Sequence, residues 1–203
     1  MLIRAIKKIK FKILRKFSKK ITDFLFFINK VEFEKYVTIG VPILDLSSEC
    51  TVKFGSGLIM VNLPQYATLG KSNKCKFVVS KNAKLILGSN IGMSNVVIVA
   101  TKSIVMGNNI MIGGGVTVVD SDFHSLNPSH WHTNEDEKNM VSLPVIIKDN
   151  VFIGMDSIIL KGVTIGSNSI IAAGSVVTKS IPDNEIWGGN PARFIKNNEI
   201  KEI

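Results

Sequence analysis

Residues 147–182 divide into six consecutive sixes: IKDNVF, IGMDSI, ILKGVT, IGSNSI, IAAGSV and VTKSIP. Ile or Val opens every one, and the fifth place holds Val, Ser, Val, Ser, Ser and Ile. The rule recurs upstream in MGNNIM and IGGGVT (106–117), ATKSIV (100–105) and LGSNIG (87–92). One residue of slippage falls between 93 and 105, and fainter copies such as VSKNAK (79–84) run back to about Thr38. Self-similarity of this length and period marks a solenoid. Each six supplies one short strand and one turn. The aliphatic first position points inward and stacks on its equivalents in neighbouring coils, while the small fifth residue fits beside it. Gly or Asn at the turn tolerates backbone angles that other residues avoid. Val and Ile dominate, and no segment after residue 37 has helical spacing. The expected fold is all-β, a parallel β-helix.

The chain of 203 residues carries a net charge of +9. Ten of its Lys and Arg residues, against the single acid Asp23, lie in residues 1–30, so the remainder is neutral. The basicity belongs to an arm and not to the body, which argues against a nucleic-acid partner. In that arm Ile3, Ile6, Ile13, Phe17, Ile21, Leu25 and Ile28 recur at helical spacing, with lysines opposite. Such a helix could pack on the body or on another subunit, or lie on an anionic membrane surface. Lysines interrupt its apolar residues every few positions, which does not suit a signal peptide, and no apolar run is long enough to span a bilayer. Cys50 and Cys75 form neither a metal spacing nor a disulfide framework, as expected in a reducing compartment.

The hexads stop between Val118 and Ile147. The interruption, VVDSDFHSLNPSHWHTNEDE at 118–137, contains all three histidines. A β-solenoid presents backbone and aliphatics on its faces, so reactive groups must be inserted into it, and long polar loops are where such groups are found. His124 is the candidate base. Asp120, Asp122 and Glu135 are candidates to orient it, with Asp122 preferred as a catalytic partner. Trp131 could stack on a sugar ring or anchor the loop.

The hexads resemble those of the hexapeptide-repeat acyltransferases. That resemblance implies a left-handed β-helix of triangular section. DSDFHS is similar to the loop of the sugar and polysaccharide O-acetyltransferases near the maltose and galactoside acetyltransferases, where a His in this place is the general base. IAAGSVVTKSIP followed by GGNPAR resembles the closing segment of coenzyme A-dependent members. By position, the resemblance makes Ala173, Gly174, Thr178, Lys179, Arg193 and Lys196 contacts of acetyl-CoA as co-substrate. Asp120, Asn95, Trp131 and His132 become contacts of a sugar or lipid-linked saccharide. It also implies a homotrimer with active sites between subunits, and no metal.

The reading divides the chain into an arm (1–36), a β-helix domain (37–182, with the loop at about 119–145) and a C-terminal segment (183–203). Pro182 and Pro191 are expected to end the coils, and the chain after Phe194 to leave the body. The expected activity is transfer of acetyl to a sugar hydroxyl of a bacterial surface polysaccharide or its precursor. The protein would be cytoplasmic or peripheral on the inner membrane face. N-acetylation of an amino sugar and a noncatalytic binding subunit stay open as alternatives. A zinc carbonic anhydrase on the same fold would need histidines on coil faces, and these three share one loop.

Overall fold

The computed structural model describes residues 2–67 and 74–199, with side chains from residue 9 onward. Among the described residues, short strands from Glu32 to Val177 wind into three parallel sheets of six strands, each built from every third strand in sequence; Glu185–Gly188 and then the antiparallel Arg193–Asn197 extend one of them to eight. Ile146 pairs with Thr164, Phe152 with Ile170 and Ile158 with Val176, so one coil is three sixes. The openers Ile147, Ile153, Ile159, Ile165, Ile171 and Val177 are all at most 1% exposed. The fifth-place residues Val151, Ser157, Val163, Ser169, Ser175 and Ile181 are buried beside them. Each fully buried aliphatic contributes roughly 1.5–3 kcal/mol. The slippage shows in the register of the coil before the loop, where Ile104 pairs with Leu85, 19 positions earlier, and Thr117 with Val97, 20 positions earlier.

One corner of the triangle is a ladder of asparagines. Asn90, Asn109, Asn150, Asn168 and Asn184 all have φ between 56° and 62°. Each of the first four donates its side-chain amide to the next one's Oδ1, at 2.9–3.1 Å. Asparagine tolerates the left-handed region, and here each rung also satisfies its neighbour. Replacing Asn150 by Ala removes two such bonds and puts a less tolerant residue at positive φ. Urea unfolding should show a loss of about 1–3 kcal/mol, and less for Asn150→Gly.

Helix α1 (Leu2–Ile28) closes the N-terminal end of the stack, as a terminal unit with a different outer face must. It stops in a Schellman motif: Val31 N–H donates to Phe26 O, Lys30 N–H donates to Phe27 O, and Lys30 has φ +54°. Its docking face differs from the expected apolar stripe. Ser18, Thr22 and Phe26 are buried, Ile21 and Leu25 are half-buried, and Ile13, Phe17 and Ile28 are exposed. The side chains of Ile3 and Ile6 lie outside the described residues. The end of the first coil presents backbone, and Gly40 N–H donates to Ser18 Oγ at 3.1 Å. Phe26 enters an aromatic cluster with Phe33, Tyr36 and Phe54. Small polar residues and one ring therefore fit where a row of isoleucines would not.

At the other end the coils run past Pro182. Glu185–Gly188 pairs in parallel with Ile170–Ile171, and Ala192 N–H donates to Val176 O. Pro182 sits at a corner, where no ladder N–H is required of it. The segment Arg193–Asn197 does not leave the body: it folds back antiparallel on Glu185–Gly188 and covers the last edge.

Candidate functional site

The loop leaves the third sheet after the strand Thr117–Val119. Its first residue, Asp120, is 0% exposed. One carboxylate oxygen accepts from Thr101 N–H (2.7 Å) and Thr101 Oγ1 (2.8 Å), the other from Lys102 N–H (2.8 Å) and Ser103 N–H (2.7 Å). Both oxygens of Asp120 are thereby committed to the corner of the preceding coil. It roots the loop and is not turned to a substrate, contrary to the expected contact. Asp120–Asp122 and Val141–Leu143 then form a narrow antiparallel neck, through the Ser121–Ser142 bridge and the bonds Asp122 N–H to Val141 O and Leu143 N–H to Asp120 O.

Asp122 sits in this neck, and its carboxylate pairs with Lys161 at 2.7 Å, not with His124. The carboxylate beside His124 is Asp136. Past the neck, Phe123 takes φ +63°, a bulky residue in a conformation it rarely adopts, and redirects the chain. A 3₁₀ turn (Pro128–His130) follows, capped by the Asn127 side chain. Thr133 then caps α2 (Asn134–Lys138), which swings Asp136 back over the start of the flap. Asp136 Oδ2 lies 2.8 Å from His124 Nδ1, and its Oδ1 accepts from Ser125 N–H at 2.7 Å. The hydrogen bond from His124, then that from Ser125, holds the Asp136 carboxyl below the usual carboxylate range. A carboxylate can only accept, so His124 Nδ1 carries the hydrogen and Nε2 keeps its lone pair in the neutral ring. No bond to Nε2 is present among the described residues, and the side chain is 72% exposed.

The other two histidines do different work. His130 Nδ1 lies 2.9 Å from Ser125 Oγ, and its Nε2 lies 3.2 Å from Asn127 Nδ2, which stitches the flap internally. Trp131 donates its indole N–H to Ser125 O at 2.7 Å, so it anchors the loop. Its ring nonetheless lines a cavity of about 280 Å³ with His124, His132 and Asp136. Asn95 is 1% exposed, at a corner with φ +55°.

The residues expected to meet coenzyme A fall into separate groups within one chain. Ala173 and Gly174 are exposed at the corner before Val176–Val177, and Thr178 and Lys179 at the corner after it. A Cβ on Gly174 would meet nothing within 4 Å, so its backbone is open to approach. The register of Ile158–Ile159 on Val176–Val177 sets Lys161 directly next to Lys179 on adjacent coils. The basic corner therefore runs into the neck of the flap. Arg193 and Lys196 lie on the returning edge strand, where Lys196 opposes Ile186 of the eight-stranded sheet.

Asp136 was missed because nothing in NEDEK distinguishes one acid from its neighbours. The usable signal was Thr133, whose capping fixes the phase of the short helix. Asp136→Asn keeps the shape but offers Nδ1 a donor as readily as an acceptor. Any reaction that uses Nε2 as a proton acceptor should slow about 100-fold or more in this variant, with partial recovery in Asp136→Glu.

Residues 144–179 match the family described as bacterial transferase hexapeptide (six repeats). The galactoside O-acetyltransferase of Escherichia coli (strain K12) is 36% identical over 134 residues, 64% of this chain and 64% of its own length. The mitochondrial gamma carbonic anhydrase 2 of Arabidopsis thaliana is 31% identical over 115 residues, 47% of this chain and 39% of its own. The chain thus spans less than two thirds of the length of these curated relatives. A crystal structure of AntD, an N-acyltransferase from Bacillus cereus, in complex with dTDP and 3-hydroxybutyryl-CoA, superposes with a TM-score of 0.63. It is 21% identical, covering 87% of this chain and 88% of that one. Residues 144–179 thus carry the hexapeptide pattern of that family, and the chain as a whole has the left-handed β-helix fold.

Proposed function

We propose that the protein is an acetyltransferase that moves acetyl from acetyl-CoA to a hydroxyl of a sugar, with His124 as general base. The observation that carries this reading is the His124–Asp136 pair, which fixes the tautomer and leaves Nε2 as the acceptor on an exposed flap. A sugar hydroxyl is a poor nucleophile. His124 Nε2 takes its proton as the oxygen attacks the thioester carbon. The tetrahedral adduct collapses by breaking the carbon–sulfur bond, and the proton passes to the departing thiolate. Proton transfer of this kind is worth roughly 10²–10⁴-fold. Asp136 stays ionised through the working range. Its stabilising pair with His124 is complete above the ordinary carboxylate value of 3.8 and is lost as the pH falls below it.

The open backbone at Gly174 and the Lys161–Lys179 corner suit a cofactor that carries a slender pantetheine arm and several phosphates. His124 lies on one flap of a single body, so a second copy supplies the opposite wall of a closed cleft. An assembly of identical copies, a trimer, is supported by an apolar column on the outside of the eight-stranded sheet. Val37, Ile59, Met111 and Phe152 are 37–67% exposed there, in mutual register through Gly92. The similarity to the galactoside O-acetyltransferase supports oxygen as the acceptor atom, and an acceptor in a surface polysaccharide or its precursor fits this reading. The test is thiol release from acetyl-CoA with a panel of sugars and lipid-linked oligosaccharides. Release stimulated by a hydroxyl acceptor is expected. Release stimulated only by amino sugars would move the acceptor to nitrogen, and none with any acceptor would defeat the reading.

A further inference from the structure

Helix α1 has more apolar surface than its docking uses. With Ser18, Thr22 and Phe26 turned to the body, Ile9, Ile13, Phe17, Phe24, Phe27 and Ile28 remain 52–78% exposed. At about 100° per residue they share one stripe, separate from the docked face. Its first half borders an apolar hollow of about 900 Å³ lined by Ile9, Ile13, Leu14, Phe17 and Tyr66, with Lys10 at its edge. Three exposed phenylalanines and three exposed isoleucines on one helix exceed the scattered apolar residues of an ordinary surface.

The flanks of the stripe decide what covers it. Lys12 and Lys16 are exposed along one side of it, exposed Lys10 and Lys20 fall within its arc, and exposed Arg15 lies beyond, toward the docked face. The sole acid of the described helix, Asp23, is held by Lys19 at 2.8 Å and by the Tyr36 hydroxyl at 2.6 Å. A second copy of this stripe would bring lysines against lysines with no carboxylate to spare. An anionic lipid surface offers the complementary sign to the flanks and an apolar boundary to the rings. No described helix is long and apolar enough to cross a bilayer, so this one would lie along it. We infer that α1 is a peripheral anchor, sinking Phe17, Phe24 and Phe27 into an anionic membrane surface while its opposite face stays docked on the first coil.

The anchor stands whether or not the acetyl-transfer reading does. One consequence rests on that reading. The flap leaves the stack three coils beyond the first, about 15 Å along the axis at about 4.8 Å per coil, and the thickness of α1 adds about 10 Å more, a height at which a lipid-linked saccharide can meet it.

The test is flotation of the full chain with pure phosphatidylcholine vesicles and with vesicles containing phosphatidylglycerol, at low and high salt. Binding to the anionic vesicles alone, weakened by salt, is expected. The triple variant Phe17→Ser, Phe24→Ser, Phe27→Ser should lose binding by about 100-fold or more, and Lys12→Glu, Lys16→Glu by at least about tenfold. Light scattering on the same proteins should show an unchanged oligomer. Failure of the unaltered protein to float with anionic vesicles would overturn the proposal. So would variants that float as before while their assembly falls apart, which would make the stripe a subunit contact. A thiol-release assay without lipid separates this outcome from failure of the catalytic reading.

Discussion

His124→Ala should lower kcat for acetyl transfer by about 10²–10⁴-fold while leaving the dissociation constant for acetyl-CoA within a factor of about two. The split follows from position. His124 is 72% exposed on the flap and its side chain's one bond among the described residues is to Asp136, whereas the basic corner at Lys161 and Lys179 belongs to the coils. Losing the ring removes the proton acceptor without disturbing the stack. Loosening of the flap is a competing cause of the same loss, and His124→Gln addresses it. Glutamine can still reach Asp136 with its amide but cannot take a proton, so it should be as inactive as the Ala variant while unfolding at the parent temperature. Activity in either variant near the parent level would remove His124 from the reaction.

Asp120→Ala should be the most damaging substitution in the loop, and for stability before catalysis. The side chain is fully buried and accepts four bonds, three of them from consecutive backbone N–H groups at Thr101, Lys102 and Ser103. Alanine leaves those part-buried donors without their protein partner. The expected loss is about 2–4 kcal/mol by urea unfolding, with a fall in activity because the flap loses its root. Asp120→Asn should recover little. Its oxygen can satisfy Thr101, but its amide then points a donor at the N–H groups of Lys102 and Ser103. An alanine variant with unchanged unfolding would mean that the neck is held chiefly by the Asp122–Lys161 pair and the Ser121–Ser142 bridge.

What could be read from the chain follows from which interactions repeat. The inward stack from Ile147 to Val177 was legible because each coil imposes the same demand on the next, so one physical requirement is written six times. The asparagine corner was legible for the same reason. The flap makes each contact once, between residues about a dozen apart, and no period records it. His124 stood out as a rare residue type in a polar insert. Its partner did not, since Asp120, Asp122, Glu135 and Asp136 are chemically alike, and only the neck and the Thr133 cap sort them into root, brace, surface pair and orienter. The arm was legible as a helix. Its docking face was not, because that face is chosen by the backbone at the open end of the first coil, which accepts Ser18 and Thr22 and leaves Ile13 and Phe17 outside.

The central claim is that Nε2 of His124 is the atom that receives the acceptor's proton. A crystal structure of the assembled protein with coenzyme A and a sugar acceptor tests it most directly. The prediction is that Nε2 lies within hydrogen-bond reach of one sugar hydroxyl, about 2.6–3.2 Å, with the cofactor's sulfur on the far side of that oxygen and Asp136 still on Nδ1. A cofactor bound elsewhere on the coils, with the His124 ring facing bulk solvent in every protomer, would contradict it.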